Sequence, residues 1–376
     1  MLLDRPWSRV ELALGMPLGV VPDALNLPVS ARSPRDELES TIDQQFATGR
    51  QVFVCFSGGR DSSAVLALAV HVARRRGAPL PIPVTLRFPQ HPESNESHWQ
   101  DLVISHLGLS EWIVIERADV DLLDPAITEM LSERGLFHPS QIGSYLPIVS
   151  AAAGGVLLTG EGGDESFGGW QFRAALHPAE WGPRSAAKAA AATAFAHGPS
   201  AMRRWYRRRG QPYPWLTGAG RAAAESALDE STEIEPVAWR RYLAWSFARR
   251  AWHLAQHTFD VVGDASDCRI AHPLAEPSLL GSLASNWSRR GPGDRTDVME
   301  AVVGDLLPSR IVERDDKAIL ASVFIGERAT AFIEQWDGSG VDAEWVDANA
   351  LREVWRRRYP YVGSFNLLHQ AWLAGA

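Results

Sequence analysis

Three short clusters combine glycines, acids, hydroxyls and cations at spacings that suit phosphate chemistry. The first is Ser57-Gly58-Gly59-Arg60-Asp61-Ser62-Ser63. It follows the apolar run at 52–56 and precedes an apolar-periodic segment at 64–76, so it reads as the turn between a strand and a helix. Such a turn aims backbone N–H groups and a helix N-terminus at an anion. The lysine of a G-x-x-x-x-G-K-[ST] loop is missing, and the order is not G-x-G-x-x-G. Ser57, Gly58, Gly59, Ser62 and Ser63 can offer N–H and hydroxyl donors to a phosphate chain. The second cluster, Gly160-Glu161-Gly162-Gly163-Asp164-Glu165-Ser166, begins where the apolar run at 155–159 ends. Asp61 and Asp164 then stand on two loops that can face each other. Mg²⁺ takes one or two carboxylates together with phosphate oxygens, and this pair suits it. The third cluster is Arg314-Asp315-Asp316-Lys317-Ala318, preceded by Leu306-Leu307-Pro308.

The order S-G-G-x-D-S resembles the pyrophosphate loop of the nucleotide α-hydrolases, which split ATP between its α and β phosphates. The stretch 160–170 resembles the G-E-G-x-D-E-L-F-G-G-Y element of the asparagine synthetase B-type enzymes, with Ser166 and Trp170 as departures. The third cluster is similar to the family's L-L-P…R-x-x-K segment, which places a lysine over the reacting phosphate. A weakened form of its E-x-R-x-P-F-L-D stretch is visible in Asp267-Cys268-Arg269 and His272-Pro273-Leu274, with Asp for Glu, one insertion, and Ala275-Glu276 for Leu-Asp. The resemblance runs from about residue 51 to the end and is thin between 173 and 264.

The resemblance implies an ATP-dependent, AMP-forming amide ligase that needs ATP and Mg²⁺. Lys317 and Arg314 would neutralise charge on the reacting phosphate. Asp61 and Asp164 would share the metal. Gly160 would belong to the phosphate site. Glu161, at the variable place of G-x-G-x-D, would be an acid–base group near the amine. Adenine would rest against Cys55-Phe56 and Leu86-Arg87-Phe88. Lasso-peptide macrolactam cyclases and β-lactam-forming synthetases are offshoots of this family. The former resemble this chain in Thr85 to Pro89, in Trp99…His106-Leu107-Gly108-Leu109 and in His272-Pro273-Leu274. Enzymes of the parent type carry an N-terminal glutaminase whose nucleophile is the cysteine exposed after Met removal. Leu2 stands there, and too few residues precede the strand at Val52 for that domain. The expectation is therefore no ammonia from glutamine within this chain. It favours amide or macrolactam formation between a small-molecule or peptide carboxylate and an amine, with a precursor peptide and its processing protease as conceivable partners. The alternatives are ammonia-dependent asparagine synthesis, tRNA base modification by the same adenylation, and a non-catalytic nucleotide-binding scaffold.

The elements that must position these groups alternate. Residues 83–88 and 112–115 read as further strands, 96–107 and 119–133 as helices closed by Gly108 and Gly135, and 146–153 leads into the strand at 155. Short strands alternating with helices imply an α/β fold with a parallel doubly wound sheet, of the adenine nucleotide α-hydrolase type. Ligands of such sheets lie at the carboxyl ends of the strands, where both glycine loops fall. Beyond Trp170 the strand pattern fades, and 185–192, 236–257, 277–289, 294–307 and 349–358 read as helices. The expected organisation is a short extension or cap at 1–45, the ATP-pyrophosphatase core at 46–175 and a mainly helical substrate-side region at 176–376.

Composition bounds the rest. The chain has 376 residues, 45% hydrophobic and 22% charged, enough for one large or two modest domains. Its formal charge of −8 argues against nucleic acid as the main partner. The arginine clusters at 203–209 and 356–358 read first as solvated helix faces, and second as a surface for an acidic peptide or RNA. Two cysteines make neither a disulfide framework nor a zinc cluster, which fits a reducing cytoplasm. No run of 18 apolar residues occurs, and the N-terminus lacks a signal-like core, so no membrane association is expected.

Overall fold

A computed structural model describes residues 5–168, 172–210 and 213–375. Leu2, Asp4 and Trp170 lie outside the described residues, as do the side chains at 206–209 of the first arginine cluster. In chain order the fold begins with α1 (Arg9–Leu14), α2 (Pro34–Phe46), β1 (Val52–Cys55), α3 (Arg60–Arg76), β2 (Ile82–Arg87), α4 (Ser97–Leu107) and β3 (Ile113–Glu116). Next come α5 (Pro125–Arg134), α6 (Leu146–Ala151), β4 (Val156–Leu158) and α7 (Gly163–Phe167). A fifth strand, β5 (Arg269–Ala271), follows much later.

All five strands pair in parallel, in the order β3-β2-β1-β4-β5. The chain is thus α/β, with helices flanking the sheet and a mainly helical C-terminal half. Parallel strands are buried on both faces and read as unbroken apolar runs, as Val52, Val54, Val156, Leu157 and Leu158 do. The chain steps outward from β1 to β2 and β3, then returns to the other side of β1 for β4. The β1/β4 junction is therefore the topological switch point, where a crevice opens beyond the strand ends.

Among the described residues, three apolar cores hold this arrangement. One packs α2 and α3 against the sheet and the helix Pro277–Asn286, through Leu38, Ile42, Leu66 and Leu280. So the first 45 residues, expected as a short extension or cap, supply most of an α2 whose Leu38 and Ile42 are fully buried. A second lies on the opposite face around Ile127, Leu131 and Val149. The third joins the two ends of the chain, with Leu14 of α1 beside Trp215, Trp355, Phe365 and Leu368.

Several boundaries differ from expectation for physical reasons. The helix expected from Asp119 starts at Pro125, capped by Asp124, because Val120 and Leu122 donate instead to the carbonyls of Val323 and Phe324 at 2.9 and 3.0 Å. The helix expected over 236–257 is two, Trp239–Ala248 and Arg250–Ala265. Residues 19–21 bond into the break: Val21 N–H donates to Ala248 O (2.6 Å) and Arg250 N–H to Gly19 O (2.8 Å). Arg250 then reaches the buried Glu11 at 2.6 Å. No helix among the described residues is long and apolar enough to cross a membrane.

Candidate active site

Both glycine loops end at the switch point, and small residues let them touch. The first leaves β1 and folds on itself: Gly59 N–H donates to Ser57 Oγ (3.3 Å), Ser62 Oγ donates to Gly59 O (3.1 Å), and the two hydroxyls lie 3.0 Å apart. Gly59 caps α3 without a side chain, so the start of a 17-residue helix faces the crevice with no built-in carboxylate or hydroxyl cap. That is an anion cradle by construction. The second loop leaves β4 and passes so close that a Cβ on Gly160 would lie 2.8 Å from Ser62 N. A Cβ on Gly163 would lie 2.3 Å from the carboxyl carbon of Asp61. Only glycine lets the Asp61 carboxylate sit against the start of α7, beside Asp164.

Three cations converge on these acids and loops. Arg295, the first residue of the helix Arg295–Val303, bonds to Asp164 Oδ1 at 2.7 Å through Nη1 and to Asp61 Oδ1 through Nη2. Lys317 Nζ lies 2.7 and 2.9 Å from the two oxygens of Asp164. Arg314 is buried and fully engaged by protein. Its Nη1 donates to Gly58 O (2.9 Å), its Nη2 to Glu96 (2.6 Å) and its Nε to Asp316 (2.5 Å), while it stacks over Trp99 at 4.7 Å. Arg314 thus ties the Lys317 segment to the β1 loop and to the start of α4. Gln100 completes the tie, donating to Ser57 O (2.9 Å) and accepting from Arg87 (2.8 Å).

The resulting cavity, about 470 Å³, has three kinds of wall. Phe56, Leu86 and Phe88 make an apolar part of the lining. Ser57, Gly59, Ser62, Asp61 and Asp164, with Arg295 and Lys317, make a charged part. Tyr145, Glu161 and Glu165 make an acidic part, within reach of Cys55. Here the Tyr145 hydroxyl donates to Glu161 Oε1. Glu161 N–H donates to Thr159 Oγ1 (3.2 Å), and Thr159 Oγ1 lies 2.7 Å from His272 Nδ1. Burial holds the His272 pKa down to about 4, so the neutral ring shares a hydrogen bond with the threonine and anchors the Glu161 loop.

Burial and neighbouring charges set Asp164 apart from the other acids. Burial raises the Asp61 pKa, although the Arg295 charge opposes it. Burial would also raise that of Asp164, but the hydrogen bond from Lys317 and the charge of Arg295 outweigh it and leave the net shift downward. Glu161 is raised, first by burial and then by the charges of Asp164 and Asp61, against the opposing Tyr145 bond. Glu165 is raised by burial and by the same acidic neighbours. Burial and the Glu161 charge push the Cys55 thiol up to about 12, so it lines the cavity as an uncharged thiol.

The structure brings Cys55, Ser57, Gly59, Asp61, Ser62, Leu86, Gly160, Glu161, Asp164, Arg314 and Lys317 to one cavity. Gly58 stands behind it, its carbonyl taken by Arg314. Ser63 does not reach it: the side chain is fully buried, Oγ has no partner among the described residues, and its N–H is bonded to Gly59 O (3.0 Å). Sequence reasoning missed Arg295, Tyr145 and Gln100. Arg295 lies far along the chain from the acids it contacts, Tyr145 and Gln100 lie outside both glycine loops, and no local pattern marks any of them.

The family model for asparagine synthase matches residues 34–373. No curated protein matches the chain.

Proposed function

The chain belongs to the asparagine synthase family, and on that premise we propose that it adenylates a carboxylate with ATP, releases pyrophosphate, and passes the acyl group to an amine. The broader statement, an ATP-dependent amide-forming ligase, follows from the family itself. The observation that carries the finer reading is the junction of the two glycine loops, with Asp61 and Asp164 side by side under Lys317.

The paired carboxylates fit a divalent ion, since both present Oδ1 to the same point, where one guanidinium spans them. Asp61 and Asp164 would hold Mg²⁺, which supplies charge neutralisation on the phosphate oxygens. The uncapped start of α3 and the Ser57 and Ser62 hydroxyls receive the leaving pyrophosphate. Lys317 stabilises charge that grows on the α phosphate. The apolar lining by Phe56, Leu86 and Phe88 takes the base. Glu161, with its raised pKa, accepts the proton of the attacking amine, and the Tyr145 hydroxyl fixes the orientation of that carboxylate.

The amine is carried on the substrate itself, in amide or macrolactam formation on a small molecule or peptide. Two observations support this. The segment Thr85 to Pro89, similar to that of the macrolactam cyclases, runs along the cavity wall through Leu86 and Phe88, and His272 of the His-Pro-Leu segment anchors the Glu161 loop. The test is product analysis across a panel of amino acids, peptides and ammonia. AMP and pyrophosphate with a substrate lighter by one water support the reading. ADP and phosphate as sole products overturn the adenylation step. Asparagine from aspartate and ammonia overturns the macrolactam step alone.

A further inference from the structure

We infer that Arg295 is a built-in counter-cation of the Asp61–Asp164 pair, which holds the two carboxylates together in the nucleotide-free protein and makes divalent-metal binding depend on nucleotide. The inference rests on the reading of those acids as the metal site.

Three observations carry it. First, one guanidinium bridges both acids: Nη1 lies 2.7 Å from Asp164 Oδ1 and Nη2 bonds Asp61 Oδ1. With Lys317 also on Asp164, two cations already balance two anions there. A lone divalent ion must displace the guanidinium to reach the pair. Nucleotide phosphates bring new acceptors for that guanidinium and so lower the cost of displacing it.

Second, Arg295 does not serve its own helix. The helix start is closed by a reciprocal capping box between Asp294 and Asp297. A cation in the first turn also opposes the helix dipole. Its presence at that position answers to the acids and not to helix stability.

Third, the bridge is made at the expense of an unmet hydrogen bond. Arg295 Nε is buried without a partner among the described residues, in a side chain only 10% exposed. A purely structural arginine in so polar a site would satisfy that donor.

The experiment measures Mn²⁺ binding by electron paramagnetic resonance, with and without α,β-methylene ATP, and follows the thermal melt of each variant. In the native protein Mn²⁺ binds weakly alone and much more tightly with the analogue. Arg295→Gln should tighten nucleotide-free Mn²⁺ binding by roughly tenfold or more, and shrink the coupling between metal and nucleotide by the same factor. Arg295→Lys, whose point charge reaches one carboxylate at a time, should fall between the two, and it carries the test if Arg295→Gln does not fold. A merely structural ion pair predicts a lower melting temperature with unchanged Mn²⁺ affinity, and that result overturns the inference. A native protein that binds no Mn²⁺ even with the analogue overturns the metal-site reading beneath it.

Discussion

Replacing Lys317 by alanine separates the chemistry of this site from its stability. The side chain is 64% exposed, and its visible partner is the Asp164 carboxylate, at 2.7 and 2.9 Å. An exposed pair of this kind contributes about 0–1 kcal/mol to folding. The backbone that carries it is held by other groups, since Arg314 is bonded three residues earlier to Gly58 O, Glu96 and Asp316. Lys317→Ala should therefore melt within a few degrees of the native protein. The catalytic loss works out very differently. A single well-aimed charge at a phosphate that gains negative charge lowers the barrier by about 3–4 kcal/mol. At about 1.4 kcal/mol per factor of ten, that is a hundred- to thousandfold. The assay is exchange of labelled pyrophosphate into ATP, with whichever carboxylate scores in the substrate panel. Lys317→Arg should recover part of the rate, because the charge returns with a different reach. Full exchange in a folded Lys317→Ala protein refutes the role of this residue, whatever the fate of the family reading.

Asp61→Asn and Asp164→Asn should each raise the Mg²⁺ concentration needed for half-maximal exchange by tenfold or more, and an unchanged Mg²⁺ titration removes that acid from the metal site. Glu161→Gln keeps size and removes the base, so exchange should survive in good part while amide product falls by about 10²–10⁴; product at the native rate would falsify the proton-acceptor role. Away from the site, Glu11 is buried on Arg250. Burial raises its pKa, but the N–H groups of Leu18 and Ser8, the Ser8 hydroxyl and the Arg250 charge outweigh that and lower it overall. The pair's contribution to stability is then full above the ordinary carboxylate range and is lost as pH falls through the lowered value. Glu11→Gln should cost about 3–5 kcal/mol at pH 7 in urea melts and flatten the acid limb of the stability curve; an acid limb as steep as the native one contradicts the assignment.

The sheet and both loops were legible because their signals are local. Strand, glycine, acid and hydroxyl follow one another within a dozen residues, and parallel burial leaves continuous apolar runs. What stayed hidden depends on distant partners. Arg295 lies 234 residues from Asp61 and 131 from Asp164, and one arginine at a helix start carries no pattern. Tyr145 meets Glu161 only because the segment before α6 folds back over the end of β4. The strand β5 has three residues and follows Asp267, whose φ of 46° breaks any periodicity. In the sequence it read as a degraded motif. The start of α5 was available in Asp124-Pro125, a cap followed by proline at the first helical position, yet the acids from Asp119 onward drew the boundary too early. The break at Arg249 has no glycine or proline to announce it, because bonds from residues 19–21 make it.

The placement of Lys317 follows from how the cores meet. Ile311 and Val312 are buried in the core that packs on the sheet. Val323 and Phe324 are buried in the core that joins the chain ends, and Val120 and Leu122 pin them there through backbone bonds. The ten residues between, which carry Lys317, belong to neither core. They lie across the mouth of the cavity, fastened at Arg314 to the β1 loop and at Ile319 N–H to Glu93 O (3.0 Å). Phe88, just past the end of β2, is buried in the core that joins the chain ends as well, and with Leu86 it forms an apolar wall. One face of the cavity is therefore set by the sheet and the other by the union of the two chain ends. The glycine loops come from the first, while Lys317 comes from the span between them. That span, which sets Lys317 beside Asp164, is thus anchored by two cores, one on the sheet and one joining α1 to the helices near the C-terminus, as well as by the Arg314 bond to the β1 loop.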